Sequence, residues 1–328
     1  MGLLSYLVFF AVVASIFAVA TLGLNLQWGT AGVFNAGVVG FYAVGAYAYA
    51  ILTAAPKAGL AGNFGLPWLV GLVGAMAVSA VVALLIGLAT MRLRGDFLAI
   101  ATFGVAVTIQ LVALNSAPLT GGSIGISSIA RPFQDVFETT LGYNAAYLAL
   151  VLAVVALIYW AIERIVRSPW GRVLKAIRED EIAAVNLGKD ARMFRLQSFV
   201  LGSMIIGLAG ALYVGYVGFV SPSDFMPILT FQIWTMLIVG GSGNNRGAIV
   251  GAFVVWGIWT AIGALASKLL PVDLQTQGGA LQSLVVGLIL VLVLILRPRG
   301  LVGELAVVSR HLERPGSQAE AAVQRAAL

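Results

Sequence analysis

The sequence predicts an all-α polytopic membrane protein, a bundle of about nine transmembrane helices within a range of eight to ten. Of its 328 residues, 60% are hydrophobic and only 10% are charged, whereas an average soluble domain carries about 25% charged residues. The mean hydropathy is +1.00. Apolar stretches close to the roughly 20 residues that a helix needs to cross the hydrocarbon layer recur along the chain. A bilayer is therefore the expected solvent, because helices satisfy their own backbone groups there.

Nine apolar stretches are predicted to span the membrane. In chain order they cover residues 3–24, 37–54, 66–89, 97–114, 145–162, 196–219, 225–241, 247–265 and 280–296. The seventh is short and contains Pro227, which removes a backbone donor, so this span is predicted to be tilted or broken. The uncharged segment 25–36, after the first span, forms either a turn or a re-entrant dip.

The basic residues predict the orientation of these spans. All but three of the 19 Lys and Arg residues fall in four segments, 91–96, 163–195, 242–247 and 297–328. The four segments lie on one side of the membrane if the spans alternate, and basic loops mark the cytoplasmic side. We therefore expect an outside N-terminus and a cytoplasmic C-terminus. No cleavable signal peptide is predicted, because residues 1–4 carry no basic side chain.

The same count predicts the domain organisation. Residues 1–300 form a single transmembrane domain, and residues 301–328 form a flexible cytoplasmic tail. The segment 115–144, rich in Gly, Ser and Pro, is the long loop on the outer side. Within it, LTGGSIGI (119–126) either lines the mouth of a cavity or is an ordinary surface loop. The segment 163–195 is the long cytoplasmic loop.

Several classes of function are disfavoured by what the sequence lacks. No charged residue falls within the nine predicted spans, which weakens a proton-coupled carrier or a channel built on charged rings. A sodium-coupled carrier that uses backbone carbonyls and a purely structural membrane subunit remain as alternatives. The sequence has no Cys, no P-loop pattern and no nucleophile elbow, and its single His, His311, lies in the tail. We predict no catalytic residue, metal or cofactor, and any ATP chemistry belongs to another chain.

Small residues recur at four-residue spacing inside the predicted spans. The sets are Gly37 with Gly45, then Gly207, Ala211 and Gly215, and Gly243, Gly247 and Gly251. In lipid this spacing lets helix backbones approach closely, so it predicts a tightly packed bundle. The net charge of +6 follows from the cytoplasmic basic segments. We therefore predict membrane lipid, and not nucleic acid, as the surrounding partner.

The cytoplasmic segment 163–195 contains a short amphipathic helical element. Ser168 and Pro169 suit a helix start, Leu174, Ile177 and Val185 follow at helix-like spacing, and Gly188 suits a stop. Asp180 alternatively caps a second short helix that starts at Glu181. Such an element lies on lipid, packs on its own bundle or docks into a partner. The central run 178–181 holds three acids and one Arg, which favours docking into a protein over lipid.

These residues resemble a known family. GRVLKAIREDEIAAVNLG (171–188) is similar to the cytoplasmic loop of LivM-type permease subunits of branched-chain amino-acid ABC importers. Further stretches agree in order: GLNLQWGTAGVFNAGVVGFYAVGAY (23–47), RLRGDFLAIATFG (92–104), LTGGSIGI (119–126), GLAGALY (207–213), SPSDF (221–225), GGSGNNRGAIVGA (240–252) and RPRGL (297–301). VFNAGVV (33–39) departs from the Gln-Leu-Ser-Leu-Gly-His type of stretch common in the family. Related permeases that look alike carry urea, short amides or aromatic acids.

The resemblance implies a permease in the bacterial inner membrane that pairs with a LivH-type sister. It also implies two cytoplasmic ATPase subunits and an extracytoplasmic solute-binding protein, which would dock near 115–144. Contact with the ATPase is expected from Gly171, Ala176, Ile177, Arg178, Glu179, Asp180, Glu181, Ala183, Ala184 and Gly188.

A pathway for a zwitterion is expected to be polar but uncharged. Seven residues in or beside the spans have this chemistry, and each either lines the pathway or makes a hydrogen bond between helices. They are Asn35, Thr102, Thr108, Gln110, Asn115, Thr120 and Gln232.

Overall fold

A computed structural model describes residues 3–57, 59–93, 95–134, 136–137, 139–269, 278–297 and 299–303. Most of the tail predicted for 301–328 lies outside the described residues, as does the segment 270–277. Across the described ranges the chain is helical, and no β-strand is formed there. One isolated antiparallel bridge joins Ile126 to Val220.

Twelve α-helices are found in the described part of the chain. They are α1 (Leu3–Asn25), α2 (Val38–Thr53), α3 (Trp68–Thr90), α4 (Asp96–Asn115), α5 (Ala117–Thr120), α6 (Thr140–Arg167), α7 (Pro169–Glu179), α8 (Glu181–Asn186), α9 (Ala191–Val217), α10 (Ile228–Gly240), α11 (Asn245–Leu269) and α12 (Gly278–Leu296). Short 3-10 turns occupy Gly122–Ile124 and Pro222–Phe225. A π-helical turn, Leu26–Thr30, follows α1.

The nine predicted spans correspond to nine of these helices, which confirms the predicted fold class. Seven helices are long and apolar enough to cross a membrane, whereas α2 and α10 are apolar but shorter. The largest difference in length is in α6, which the sequence placed at 145–162 and which reaches Arg167. The last turn of α6 carries the basic side chains Arg164 and Arg167, which lie beyond the apolar stretch of the sequence. The orientation of the bundle stays a prediction.

The segment after the first span differs from both readings of the sequence. The helix does not turn at residue 25 but continues through the π-helical turn to Thr30. Gln27 on this turn is fully buried, and its side-chain amide donates to the Phe199 carbonyl on α9 at 2.9 Å. A loop that is largely buried except at Phe34 then leads to the start of α2. The packing against α9 holds this extension inside the bundle.

The proline in the seventh span marks its start. Pro227 occupies the position before α10, so the helix begins at Ile228 and is not broken in its interior. The preceding residues form the 3-10 turn Pro222–Phe225, which Ser221 caps. The observed helix α10 is therefore shorter than the predicted span 225–241, because proline fits the first turn of a helix and not its middle.

The centre of the bundle is formed by α1, α2 and α9, with α3 packed on the outer side of α9. At Gly45 on α2, an added Cβ would overlap the backbone of Gly207 on α9. An added Cβ at Gly210 would overlap the Tyr42 carbonyl. The predicted close packing of small residues is thus confirmed, because these helices meet backbone to backbone.

Candidate functional site

The segment predicted to be cytoplasmic forms two short helices joined at Asp180, as one of the two sequence readings proposed. The carboxylate of Asp180 accepts a hydrogen bond from the Ala183 N–H at 3.0 Å and caps α8. Pro169 begins α7, but the Ser168 hydroxyl donates to the Ile165 carbonyl at 2.6 Å instead of capping the helix. Gly188 ends the segment with a φ of +77°. The break at Asp180 decides which side chains face outward.

Part of the predicted docking set faces into the protein. Ile177 and Ala184 are buried together with Ala191 at the start of α9. Gly171 is also buried, and a Cβ there would overlap the Val166 backbone. These residues hold α7 and α8 against the bundle, so they support the surface of the segment without forming it.

Arg178 connects α7 to the end of the first span. Its guanidinium donates to the Gly29 carbonyl on the π-helical turn, and it pairs with the Glu179 carboxylate at 2.7 Å. The Arg178 side chain also passes close to Gly32, where the space for a Cβ is limited. A second contact joins α8 to α9, because Glu181 pairs with Arg195 at 3.1 Å. The charged run is therefore partly used inside the chain.

The outward face of α8 and its C-terminal end carry apolar residues that are not in the predicted docking set. Ile182 is 72% exposed and Leu187 is 80% exposed, and Val185 beside them is half exposed. Val185 was expected on the same face as Leu174 and Ile177, and this is wrong because the helix breaks at Asp180. The sequence did contain a signal for this exposed surface, namely three apolar side chains within six residues of a charged loop. We call Ile182, Val185 and Leu187 the α8 patch.

The remaining members of the docking set lie on the surface. All five are exposed and lie in or next to α7 and α8. They are Ala176, Glu179, Asp180, Ala183 and Gly188.

Three of the seven predicted pathway residues are buried and already hydrogen-bonded. The Asn35 amide donates to Gln27 Oε1 at 2.9 Å and accepts from the Gly37 N–H at 2.8 Å. The Thr102 hydroxyl accepts from the Ala36 N–H at 3.0 Å. The Thr120 hydroxyl, at the end of α5, lies within hydrogen-bond distance of the Ala113 carbonyl on α4 and of the Ser116 carbonyl. These side chains position backbone segments, and their part in the pathway stays a prediction.

Two other pathway candidates lie on an exposed face of α4. Thr108 and Asn115 bond only to carbonyls of their own helix, at 2.8 Å in each case. They belong to a stripe of exposed residues, which we call the α4 face. It consists of Phe97, Ile100, Gly104, Thr108, Leu111 and Asn115. Gln110 lies beside this face and donates to the Pro222 carbonyl at 3.2 Å.

Gln232 stands apart from the other six candidates. It is 7% exposed on α10, and its amide nitrogen has no hydrogen-bond partner among the described residues. The structure therefore does not bring the seven residues together along one surface. Within the described ranges, no three His, Cys, Asp or Glu side chains are grouped to hold a metal ion.

A bundle of seven long and two shorter apolar helices, with a pair of short helices between two of them, has the architecture of a polytopic membrane protein. Comparison with known proteins specifies the family. The model of the branched-chain amino acid transport system permease component matches residues 6–294, and the chain belongs to this family.

Named relatives agree with this assignment. The chain is 31% identical over 312 residues to the high-affinity branched-chain amino acid transport permease LivM of Escherichia coli strain K12, covering 89% of this chain and 68% of the relative. It is 26% identical to the probable LivM permease of Methanocaldococcus jannaschii, with 91% and 94% covered. It is 25% identical to LivH of Escherichia coli strain K12, with 88% and 92% covered. The protein is thus a multi-pass inner-membrane permease component of an ABC importer.

Proposed function

We propose that this permease pairs with a LivH-type sister to import branched-chain amino acids, driven by two cytoplasmic ATPase subunits and supplied by an extracytoplasmic binding protein. The observation that carries the proposal is the family match over residues 6–294. Its similarity to both LivM and LivH relatives supports a pair of related permeases. Urea, short amides and aromatic acids are the alternative solutes, and a sodium-coupled carrier is the alternative class.

The α4 face is the best candidate for the pathway wall in this proposal. Its central residues, Gly104 and Thr108, are small and uncharged, and an added Cβ at Gly104 would meet nothing within 4 Å. A solute with one positive and one negative group would pass an uncharged wall, with hydroxyl and amide groups at Thr108 and Asn115, without being trapped by a fixed charge. The buried Thr102 and the partly buried Gln110 hold α4 by bonds to backbone groups, which leaves the opposite face available to the sister permease.

The α8 patch is the proposed contact with the ATPase. Exposed apolar side chains at the tip of a short helix fit a groove on a partner, as in other complexes that bind an amphipathic helix. The acids Glu179 and Asp180 beside the patch favour a basic rim on that groove. The bond from Arg178 to the Gly29 carbonyl then joins the docked helix to the first span. The cytoplasmic side is assigned from the basic residues of this segment.

The test uses proteoliposomes that contain the assembled importer at matched subunit content. Ile182→Asp with Leu187→Asp should reduce solute import at least about tenfold, because two buried contacts at an interface centre would be lost. Solute-stimulated ATP hydrolysis should fall with it. Leu187→Met keeps the apolar area and should retain import. Glu179→Lys is a better charge test than Glu181→Lys, because 71% of the Glu179 side chain is exposed against 25% of the Glu181 side chain, while each carboxylate pairs with an arginine.

Two outcomes would contradict the proposal. Full coupled import by the double Asp variant would remove the docking role of the α8 patch. Import driven by a sodium gradient without ATPase subunits would favour the carrier class. Because the chain has no Cys, Ala183→Cys should cross-link to the ATPase, and Ser127→Cys should react with an impermeant maleimide from outside.

A further inference from the structure

A cavity lies inside this single chain, beneath the 3-10 turn Pro222–Phe225. Its volume is ≈ 210 Å³. The cavity is enclosed by α1, α2, α9, α10 and α11, and its walls are mostly aromatic. The aromatic residues are Phe17, Tyr42, Tyr213, Trp256 and Trp259.

Two hydrogen-bond donors at this cavity are unused. The amide nitrogen of Gln232 and the indole nitrogen of Trp256 are both buried, and neither has a partner among the described residues. Both residues belong to the cavity lining. A buried donor without an acceptor destabilises the protein, so most such groups are paired in folded structures. A carboxylate can accept hydrogen bonds from two such N–H donors on neighbouring helices.

An acid lies at the same cavity. Asp224 lines it and is also exposed, so it belongs both to the cavity and to the surface of the protein. One carboxylate oxygen accepts from the Ser221 N–H at 3.0 Å. Burial is the main influence that raises the pKa of the Asp224 carboxyl, and the bond from Ser221 opposes it. A cation beside Asp224 would be attracted by the carboxylate and by the faces of the aromatic rings.

We propose that this cavity binds a small zwitterion with a short apolar body, the chemistry of an aliphatic α-amino acid. Its ammonium would lie near Asp224, its carboxylate near Gln232 and Trp256, and its side chain against the aromatic walls. The volume of ≈ 210 Å³ suits one such molecule, because drug-sized ligands occupy pockets of about 300–1,000 Å³. The inference rests on the proposed function only in identifying this ligand with the transported solute.

A lipid chain fits the cavity less well than a zwitterion. An acyl chain would fill the aromatic walls but would leave the Gln232 and Trp256 donors without an acceptor. It would also remove water from the Asp224 carboxylate without supplying a positive charge. The combination of one acid, two donors and an apolar wall therefore favours a ligand that carries both charges.

The test is equilibrium binding of radiolabelled leucine to the full chain in lipid nanodiscs, without binding protein or ATPase. Leucine should bind saturably. Two analogues should compete at least about tenfold more weakly than unlabelled leucine. They are 4-methylpentanoate, which lacks the ammonium, and leucinamide, which lacks the carboxylate. Asp224→Asn and Gln232→Met keep the size of the side chain, and Trp256→Phe keeps an aromatic ring but removes the indole N–H. Each should weaken leucine binding about tenfold.

The matched control is Trp160→Phe, because Trp160 lies on the exposed side of α6 and should leave binding unchanged. Unsaturable binding, or equal affinity in all three cavity variants, overturns the proposal. Competition by 4-methylpentanoate equal to that of leucine overturns it as well, since the cavity would then be an apolar crevice. If the chain binds leucine but the assembled importer moves no branched-chain amino acid, the cavity stands and the proposed function fails. If the assembled importer moves branched-chain amino acids but the chain binds no leucine, the proposed function stands and the cavity proposal fails.

Discussion

The two spans α9 and α4 are similarly apolar but differ in how the protein uses them. In its most apolar stretch, 72% of α9 is buried inside the bundle, against 22% of α4. Both are long enough to cross a membrane, and both contain polar residues. Hydropathy therefore identifies each of them as a span but does not reveal which is central and which is peripheral.

The difference originates in the contacts that each backbone makes. Glycines of α9 touch the backbones of α1 and α2, as Gly202 does at Gly23 and Gly210 does at Tyr42. By contrast, α4 approaches the bundle closely near Gly37 and Gly40 and makes two hydrogen bonds to loop backbone, from Ala36 to Thr102 and from Gln110 to Pro222. The central helix is fixed along its length, whereas α4 keeps one face free for another surface.

The strongest test of this contrast places the same large residue on the two helix surfaces. Gly45→Leu should destabilise the protein by more than about 3 kcal/mol, because its side chain would overlap the α9 backbone at Gly207. Gly104→Leu should leave the fold intact, since nothing lies within 4 Å of its Cβ position. The measurement is the yield of monodisperse protein and its thermal unfolding in detergent. Equal yields would contradict the central position of α9.

A smaller effect is expected for the buried amides at the end of α1. Asn25 donates to Asn245 Oδ1 at 2.8 Å, and Asn245 donates to Glu163 at 3.0 Å. Asn245→Ala should cost about 2 kcal/mol, because buried partners on two helices lose a hydrogen bond. Asn115→Ala on the α4 face should change the unfolding free energy by less than about 0.5 kcal/mol. Chemical unfolding of both variants in the same lipid mixture measures the difference.

The smallest effect concerns two threonines of α4 itself. Thr102→Val should cost about 1 kcal/mol, since the Ala36 N–H loses its acceptor. Thr108→Val removes only a bond to its own helix and should leave stability unchanged, while altering the solute import of the assembled complex. Unfolding and import are measured in parallel. A Thr108→Val variant with unaltered import would leave the α4 face without a role in the pathway.

Much of the fold could be predicted from the sequence, because membrane spans are set by local composition. The third span, predicted at 66–89, is Trp68–Thr90, and the fourth, predicted at 97–114, is Asp96–Asn115. The short helix that starts at Glu181 followed from the capping chemistry of Asp180. Glycine spacing likewise predicted close contacts between helices, which Gly45 and Gly207 make.

The candidate site could be predicted less well, because its residues depend on contacts between distant segments. Asn35 and Thr108 are both uncharged polar residues near the spans, yet one is fully buried and the other is exposed. Their surroundings are fixed by how the helices are arranged, which no local pattern encodes. Leu187 was missed for a similar reason, since the break at Asp180 turns the α8 patch away from the buried side of α7.

The turn that carries Gly29 has a mechanical consequence. Gly29 accepts the bond from Arg178, and a Cβ on it would overlap Asn25 and crowd Gly243 at the turn between α10 and α11. Three segments of the chain thus meet at one residue without slack. Because these contacts are tight, a displacement of α7 would also shift the end of the first span and the turn between α10 and α11. The rigidity of this junction would therefore couple a movement of α7 to a movement of the membrane spans.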